Sequence, residues 1–349
     1  MDLPALARKL READPGRLHV VALPDFFVDH FVTLPRHADI MPEIGRVHGQ
    51  GGGNLPGFPQ RLSTGGNAAN TALALARLGV KSHLITRTSP FGATVLSETL
   101  GRAGVDLARV KPTGDLAVTT ALEFDVPGAA RRNVMLNWPG SVATFGVDDL
   151  DQNDWTLIEA SDLVLVANWT LTREGGTELA QEVFRVARKA GTRTAIDTGD
   201  PSPRAAEIPT LVGDLLRSKD VDVLGVNENE LRHFTGAVEA GVDEARAFAG
   251  TLSGTLDYHT SSVTASFGRA GEAVVPTFDV HCRRVTGAGD AWNAGNLTGH
   301  LLGLAPAERL VLANAVAGLY VSGMSGDHPT LEEVARFLES GPRTSAIPP

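Results

Sequence analysis

The stretch Val285-Thr286-Gly287-Ala288-Gly289-Asp290, followed by Ala291-Trp292-Asn293-Ala294-Gly295, decides the fold of this 349-residue chain. Apolar residues continue at helical spacing through Leu297 and Leu301, which predicts a helix that begins at the glycines and buries one face. The first backbone N–H groups of a helix lack intrahelical partners, and glycine lets an anion approach them closely. The stretch therefore predicts an anion site, with a phosphate as the expected ligand.

Asp290 has two interpretations. A carboxylate in the first turn stabilises a helix, because it meets the positive end of the helix dipole. Beside a bound phosphate the same carboxylate would repel the ligand unless it has a chemical task. Taking the proton from a hydroxyl that attacks phosphorus is such a task. Spacing alone leaves both interpretations open.

Two other motifs precede this stretch. Thr64-Gly65-Gly66-Asn67-Ala68-Ala69-Asn70 introduces a predicted helix from Ala68 to Leu78, and Asn227-Glu228-Asn229-Glu230 follows an apolar run. In this order the three motifs resemble the signatures of the ribokinase-like (PfkB) family of carbohydrate and nucleoside kinases. The resemblance extends from near residue 20 to near residue 338. It implies that Gly287, Ala288 and Gly289 hold the transferring phosphate and that Asp290 is the catalytic base.

Short apolar runs alternate with segments of helical length after about residue 140. This alternation predicts a parallel sheet that is covered by helices on both faces, with ligands at the carboxyl ends of its strands. Asp197, Asn227 and Glu230 follow such strands. The resemblance implies the same α/β class in more detail: a three-layer sandwich with a mostly parallel central sheet flanked by helices, plus a small β-stranded lid. The whole chain, 1–349, is expected to be one kinase domain.

The predicted lid comprises two segments, at about 24–62 and 117–137. Residues 31–62 are rich in Pro and Gly, which predicts a mobile loop rather than a regular core element. The second segment predicts a hairpin around Pro127-Gly128. Lid strands with exposed edges often pair between subunits, so a homodimer through the lid is an open alternative. Residues 1–17 are expected to form an N-terminal helical extension.

The resemblance also implies a set of substrate-binding residues. Asp29 matches an aspartate that contacts the substrate sugar, and a carboxylate can accept hydrogen bonds from two hydroxyls. Asp25 is the alternative. Gly65, Gly66 and Asn67 are the other expected sugar contacts, although asparagine is also a frequent helix cap.

Asn227 and Glu230 are three residues apart and share one face of a starting helix. They suit Mg²⁺ held largely through water, or a simple capping box; the resemblance favours the metal. It also implies ATP as phosphate donor, with ADP left open. The expected nucleotide-binding residues are Asn227, Gly268, Gly287, Gly289 and Asn314. For Asn314 the alternative is the packing of an alanine-rich helix.

The sequence departs from the family pattern at two places. Arg284 stands where members commonly carry an aspartate of a monovalent-cation site, which puts K⁺ activation in doubt. The nucleotide-binding strand has its nearest counterpart in Ser266-Phe267-Gly268-Arg269-Ala270-Gly271, preceded by an unusual His259-Thr260-Ser261-Ser262. His259 is interpreted either as a structural residue or as a phosphate contact.

Composition restricts the classes of partner. Acidic residues outnumber basic ones, 41 to 31, and the net charge of −10 argues against nucleic acid or an anionic membrane as partner. A single cysteine excludes an intrachain disulfide and a cysteine-rich metal site. No signal peptide or bilayer-length apolar run is apparent, so a cytoplasmic protein is expected. A nicotinamide oxidoreductase is disfavoured, because no Gly-x-Gly-x-x-Gly follows the first strand. A P-loop enzyme is excluded, because no Gly-Lys-Ser/Thr lies at a strand–helix junction.

The expected function is Mg²⁺-dependent transfer of a nucleotide phosphoryl group to a hydroxyl of a sugar or sugar-derived small molecule. In this hypothesis Asp290 is the general base and the amides of residues 287–289 stabilise charge on the transferred group. A nucleoside kinase of the same fold is the alternative. A non-catalytic sugar- or nucleotide-binding sensor is the alternative from a different class, but such a protein would be expected to lose Asp290, Asn227 or Glu230.

Overall fold

A computed structural model describes residues 1–128, 131–323 and 326–345. The strands in these ranges, numbered in chain order, are β1 (His19–Leu23), β2 (Phe27–Leu34), β3 (Gln60–Gly65), β4 (Lys81–Leu84), β5 (Thr86–Arg87), β6 (Val110–Lys111), β7 (Val118–Phe124), β8 (Arg132–Trp138), β9 (Leu163–Ala167), β10 (Arg193–Asp197), β11 (Val223–Val226), β12 (Thr255–His259), β13 (Val263–Gly268) and β14 (Gly271–Pro276). The helices are α1 (Leu3–Glu12), α2 (His37–Gly49), α3 (Asn67–Arg77), α4 (Pro90–Leu96), α5 (Gln152–Ala160), α6 (Gly176–Ala190), α7 (Ile208–Thr210), α8 (Glu228–Thr235), α9 (Val242–Ala249), α10 (Ala288–Leu301), α11 (Pro306–Ser322) and α12 (Leu331–Glu339).

Eight of the described strands form the central sheet, in the order β14-β13-β12-β11-β10-β9-β1-β4. Neighbouring strands are parallel from β4 to β12, whereas β12, β13 and β14 pair antiparallel. Side chains alternate between the two faces of each strand. In β9, for example, Leu163 and Leu165 pack in one apolar cluster and Val164 and Val166 in the other. The predicted mostly parallel, two-faced sheet is confirmed.

Each face of this sheet carries its own layer of helices. One layer contains α1, α3, α10, α11 and α12, and the other contains α5, α6, α8 and α9. The predicted N-terminal helix is present as α1, and its buried Leu6 and Leu10 belong to the first layer. Lys9 pairs with Glu308 at 2.8 Å, so α1 is also fixed to the start of α11 by charge. The three-layer arrangement is therefore confirmed.

A separate sheet of four described strands, in the order β3-β2-β7-β8, fits the expected lid. Strands β7 and β8 pair antiparallel from Val118–Trp138 to Phe124–Arg132, as the predicted hairpin requires. Part of the connection, residues 129 and 130, lies outside the described residues. The lid limits of 24–62 and 117–137, and the assignment of 1–349 to a single domain, stay predictions.

The expectation of a loop across residues 31–62 is wrong for much of that segment. Helix α2 occupies thirteen of these residues despite Pro42 in its interior. Its Ile40 packs in an apolar cluster with Leu34 and Phe124 of the small sheet. Burial of this face outweighs the local cost of the proline. The high density of Pro and Gly in the sequence gives no indication of this burial. Among the described residues, no helix is both long and apolar enough to cross a bilayer.

Candidate active site

The amino end of α10 lies at the carboxyl ends of the parallel strands. Gly287 precedes the first helical residue with φ of +83°, a left-handed conformation. A Cβ at this position would also lie 2.5 Å from the Tyr320 hydroxyl oxygen, so the backbone conformation and the available space both require glycine. The helix predicted to begin at the glycines is confirmed.

The backbone amides at this helix start are not equivalent. The N–H of Ala288 donates to the carbonyl of Val285 at 3.1 Å, because the left-handed Gly287 closes a turn there. Within the described ranges the N–H groups of Gly289 and Asp290 have no backbone acceptor. The N–H of Gly287 likewise has no backbone acceptor there, so the amides of Gly287, Gly289 and Asp290 remain as donors for an anion, and the expected contribution of the Ala288 amide is not supported.

Asp290 is buried in the first turn of α10, with 7 % of its surface exposed. The amide Nδ2 of Asn70 donates to its Oδ2 at 2.8 Å. Burial, and next the negative charge of Asp197, raise the pKa of Asp290 well above the usual range for an aspartate. The carboxyl group is therefore a stronger proton acceptor than an exposed aspartate.

Asp25 and Asp29, the two candidates for one role, occupy different environments. Asp25 is completely buried and accepts from the backbone N–H groups of Asn67 and Ala68 and from Asn168 Nδ2, each at 2.8 Å. It caps α3, and it is not among the described residues that line the cavity in front of Asp290. Asp29 lines the cavity in front of Asp290, and burial raises its pKa to about 6. The geometry thus supports Asp29, rather than Asp25, as the group that meets a ligand.

Glycine is required at both positions of the Gly65-Gly66 pair. A Cβ on Gly65 would lie 2.3 Å from Asp29 Oδ2. Gly66 has φ of +98°, and a Cβ there would lie 2.9 Å from the Asp25 carbonyl oxygen. The next residue, Asn67, lines the same cavity as Asp29, and its Nδ2 reaches Asp197 Oδ1 at 3.4 Å. The motif therefore lets two carboxylates approach the start of α3.

Two cavities meet at the amino end of α10. The smaller one, of about 560 Å³, contains Asp290 in its wall together with other carboxylates. The larger one, of about 1140 Å³, has a partly apolar wall that includes Val280 and Val321. The residues that line both cavities are Asn227, His259 and Gly289. The arrangement can hold two ligands whose reacting ends meet over Gly289.

Asn227 and Glu230 form a reciprocal capping box at the start of α8. Asn227 Oδ1 accepts from the Glu230 N–H at 3.0 Å, and Glu230 Oε2 accepts from the Asn227 N–H at 2.9 Å. Both residues also line the smaller cavity. Burial, and next the charge of Asp197, raise the pKa of Glu230 well above its usual range. The structure therefore contains the capping box, and its two side chains face the smaller cavity.

The predicted nucleotide residue Gly268 is not brought to this site. Strand β13 runs antiparallel to β12, with His259 opposite Thr264 and Leu256 opposite Phe267. Gly268 therefore lies at the opposite edge of the sheet, where its Cβ position is 2.4 Å from Thr255 Oγ1. The segment at the cavity edge is instead the turn after β12, whose Thr260 and Ser261 line the larger cavity.

Asn314 borders the larger cavity, but its amide is engaged in the helix packing. Its Oδ1 accepts from Trp292 Nε1 at 2.9 Å, and its Nδ2 donates to Thr264 Oγ1 at 3.1 Å. The structural alternative for this residue is therefore supported. Arg284, at the other departure from the family pattern, lies near Tyr320, with its guanidinium carbon 5.7 Å from the ring centre.

Sequence reasoning did not select Asp197 and Asn293 as site residues. Asn293 Nδ2 donates to Asp197 Oδ2 at 2.6 Å, and Asp197 lines the smaller cavity. The signals available were the position of Asp197 at a strand end and the three-residue step from Asp290 to Asn293 along α10. Asn70, which donates to Asp290, belongs to the motif that begins at Thr64.

We expect Asp25→Asn to destabilise the fold and Asp29→Asn to spare it. Asp25 accepts from three donors, and an asparagine NH₂ would face one of them, so the free energy of unfolding should fall by about 2–4 kcal/mol. Asn in place of Asp29 removes a desolvated acid and should change it by under about 0.5 kcal/mol. Urea unfolding of both variants measures the difference. Equal losses would show that Asp29 has the same structural role as Asp25.

Comparison with known proteins agrees with this geometry. A family model described as pfkB family carbohydrate kinase matches residues 45–333. The ribokinase of Haemophilus influenzae is 25% identical over 300 residues, covering 82% of this chain and 91% of the relative. The 1-phosphofructokinase of Rhodobacter capsulatus is 30% identical over 310 residues, covering 83% and 89%.

The fold has close counterparts among solved structures. Ribokinase of Arabidopsis thaliana, complexed with ribose and ATP, superposes with a TM-score of 0.71 at 19% identity, covering 92% of this chain and 98% of that one. The family match spans most of the sequence, and the fold places the three family motifs around one pair of cavities. The chain belongs to the pfkB family of carbohydrate kinases and is a sugar or nucleoside phosphotransferase.

Proposed function

We propose that this kinase transfers the terminal phosphoryl group of ATP to a hydroxyl of an uncharged, polyhydroxylated acceptor, with Asp290 as general base. One observation carries the proposal: the two cavities meet over Gly289, and Asp290 lines only the smaller one. The smaller cavity then holds the acceptor and the larger one the nucleotide. The ATP in the Arabidopsis ribokinase structure supports the choice of donor.

The charges of the smaller cavity point to an uncharged acceptor. Its lining includes five carboxylates and, within the described residues, no Lys or Arg: Asp29, Asp197, Asp200, Glu230 and Asp290. The nearby Arg61 lies over the Phe31 ring, with its guanidinium carbon 3.4 Å from the ring centre, and faces Glu123 at 3.8 Å. A phosphorylated or acidic acceptor would meet repulsion without a cation to offset it.

A nucleoside is the second candidate for the acceptor. Three apolar side chains, Phe27, Met135 and Leu171, also line the smaller cavity. They could pack against a base, while Asp29 and Asn67 accept and donate to the ribose hydroxyls. A free sugar needs fewer apolar contacts of this kind.

In the proposed reaction the acceptor oxygen attacks the terminal phosphorus of ATP and the bond from that phosphorus to ADP breaks. Asp290 takes the hydroxyl proton, and its pKa, raised by burial, suits this task. The amides of Gly289 and Asp290 donate to the oxygens of the transferring group. Preorganised donors of this type stabilise charge that develops in the transition state.

Magnesium fits the residues present. Glu230, Asp197 and Asp200 place negative charge beside one another, and no Lys or Arg pairs with them within the described residues. In the part of the chain that the structure describes, no three His, Cys, Asp or Glu side chains form a ready metal cluster. Asn227 and Glu230 would therefore hold Mg²⁺ largely through water, where the ion would neutralise charge on the nucleotide phosphates.

A panel of acceptors tests the proposed function. Wild-type protein with ATP and Mg²⁺ should phosphorylate an unphosphorylated sugar or a nucleoside. Its kcat/KM for that acceptor should exceed the value for the corresponding sugar phosphate by at least about tenfold, because of the acidic lining. A coupled ADP-release assay measures both. Preference for the phosphorylated compound would contradict the uncharged acceptor, and no turnover with any member would contradict the kinase function.

Asp290→Asn should lower kcat by about 10²–10⁴-fold, because asparagine cannot accept the proton at neutral pH. Binding of acceptor and ATP should persist, and stability should change by under about 1 kcal/mol. The matched control is Glu308→Gln, which removes a first-turn carboxylate from α11, outside both cavities. If Asp290→Asn keeps a rate within about threefold of wild type, the carboxylate is a helix cap and the mechanism is wrong.

Glu230→Gln should raise the Mg²⁺ concentration for half-maximal rate by about tenfold, because a charged ligand becomes neutral. Gln can still accept from the Asn227 N–H, but its NH₂ would face Asn227 Nδ2, which donates to Glu230 Oε1 at 2.9 Å, so the fold should persist with a loss of about 1 kcal/mol. Glu333→Gln is the matched control, since Glu333 completes the same capping box with Thr330 on α12. Wild-type activity of Glu230→Gln at every Mg²⁺ concentration would leave the pair a helix cap only.

We also propose that two copies associate through the small sheet. Strand β8 is an edge strand, and all seven of its residues are exposed. Val134, Leu136 and Trp138 are 51%, 58% and 65% exposed, and Leu62 on the opposite edge is 67% exposed. Val134, Leu136 and Trp138 alternate along β8 and therefore share one face, and an edge strand with such an exposed apolar face is a liability unless another chain covers it.

Replacing Leu136 and Trp138 together by Ser should convert a dimer to a monomer in sedimentation velocity, because the apolar surface that favours association is lost. Met41→Ser, which alters an exposed apolar residue of α2, should leave the mass unchanged. A wild-type chain that sediments as a monomer at every concentration would refute this association.

A further inference from the structure

His259 lies where the two cavities meet. It is the last residue of β12, and β12 pairs with β11, whose next residue is Asn227. The His259 Cε1 atom is 3.7 Å from the position that a Cβ on Gly289 would occupy. The imidazole is therefore beside the helix start that faces both ligands, and it lines both cavities.

The ring of His259 is fixed in this position by Trp292. The two rings are stacked, with centroids 4.7 Å apart and planes 29° from parallel. Trp292 is held in turn by the hydrogen bond from its Nε1 to Asn314 Oδ1, at 2.9 Å. The imidazole is thus held in place through the face of its ring. Its two nitrogens are not needed for this positioning.

Neither ring nitrogen of His259 has a hydrogen-bond partner within the described residues. The ring stacks on Trp292, and the charge of Asp257 acts on it at longer range. His300 and His83, by contrast, each contact an aspartate at 2.9 Å. A half-buried imidazole that lines both cavities is suited to bind a ligand through a ring nitrogen.

The charge state of His259 suits a hydrogen-bond donor rather than an ion-pair partner. Burial lowers its pKa to about 4, so the ring is neutral at neutral pH and carries one N–H. A neutral donor can approach a phosphoryl oxygen without forming an ion pair with the carboxylates of the smaller cavity. It also takes no proton from the hydroxyl that Asp290 is proposed to activate.

We propose that the His259 N–H donates a hydrogen bond to an oxygen of the terminal phosphoryl group of the nucleotide, and that His259 is a catalytic residue of this chain. The inference rests on the proposed donor and acceptor assignment of the two cavities. It gives the transferring group a side-chain donor in addition to the amides of Gly289 and Asp290. No bond to the imidazole forms or breaks in this role.

The test compares a nucleotide that has the terminal phosphoryl group with one that lacks it. His259→Phe keeps an aromatic ring for stacking on Trp292 but has no N–H. Binding of Mg²⁺–AMP-PNP should weaken about tenfold, and binding of Mg²⁺–ADP by less than about twofold, as measured by isothermal titration calorimetry. With a phosphorylatable acceptor, kcat should fall about 10²-fold. His259→Gln, which restores an N–H donor, should recover part of both losses.

His328→Phe is the matched control. His328 also stacks on an aromatic ring, that of Tyr320 at 4.5 Å, and burial lowers its pKa to about 4, but it lines neither cavity. It should change both affinities by less than about twofold. Thermal melting of every variant shows whether it is folded.

The outcomes separate this inference from the kinase function itself. If His259→Phe binds AMP-PNP like the wild type, or loses ADP affinity equally, the imidazole does not contact the terminal phosphoryl group. If His259→Phe gives either of these results while Asp290→Asn is inactive, the kinase mechanism stands and only the role of His259 is refuted. A wild-type protein that binds neither nucleotide would refute both.

Discussion

The placement of α10 on the central sheet is the constraint on which the rest of the structure depends. Apolar packing alone would let a helix slide or rotate, but polar pairs fix this one at several depths. Asn293 donates to Asp197 near the site, and Asn296 donates to Asp257 further along at 2.8 Å. Each pair would leave a buried polar group unsatisfied if the helix moved by a residue. The amino end of α10 is thereby held at the strand ends.

Asp257, which accepts from Asn296, also forms a buried ion pair with Arg309. Burial alone would raise the pKa of Asp257, but the charge of Arg309 and a hydrogen bond from His300 lower it below the usual range. Arg309 Nη1 contacts Asp257 Oδ2 at 2.6 Å, and both side chains are almost completely buried. Removing one partner of such a pair leaves an uncompensated charge. This pair therefore specifies one position of α10 and α11 relative to β12.

The opposite electrostatic arrangement applies at the site. Asp290, Glu230 and Asp29 all have pKa values raised by burial, and among the described residues no Lys or Arg lines the cavity that they share. The Asp257–Arg309 ion pair is located where α10 and α11 are fixed to the sheet. The carboxylates of the smaller cavity, where a ligand is proposed to bind, have no Lys or Arg beside them among the described residues. Strongly perturbed carboxyl groups in a cleft are typical of functional sites, where a ligand, a metal ion or a proton completes the charge balance.

Local sequence was sufficient where the signal lies within a few neighbouring residues. The helix that follows Gly287 and the alternating strands of the sheet were predicted, because side-chain periodicity acts over such short distances. The long segment that contains α2 was predicted wrongly. Its helix depends on burial against Leu34 of β2 and Phe124 of β7. Phe124 is far away in the sequence, so a local pattern does not indicate this contact.

What the sequence by itself determined was the fold class, the order of the motifs and the identity of Asp290 as the central candidate. Tertiary structure alone placed Asp29 in the cavity wall and Asp25 beneath the start of α3, put Gly268 at the opposite edge of the sheet and brought His259 to the junction of the two cavities. These three outcomes depend on which strand ends lie at the same edge of the sheet. They also depend on which polar side chains already have hydrogen-bond partners from neighbouring elements. Such relations join residues far apart in the chain, so no local pattern of residues contains them.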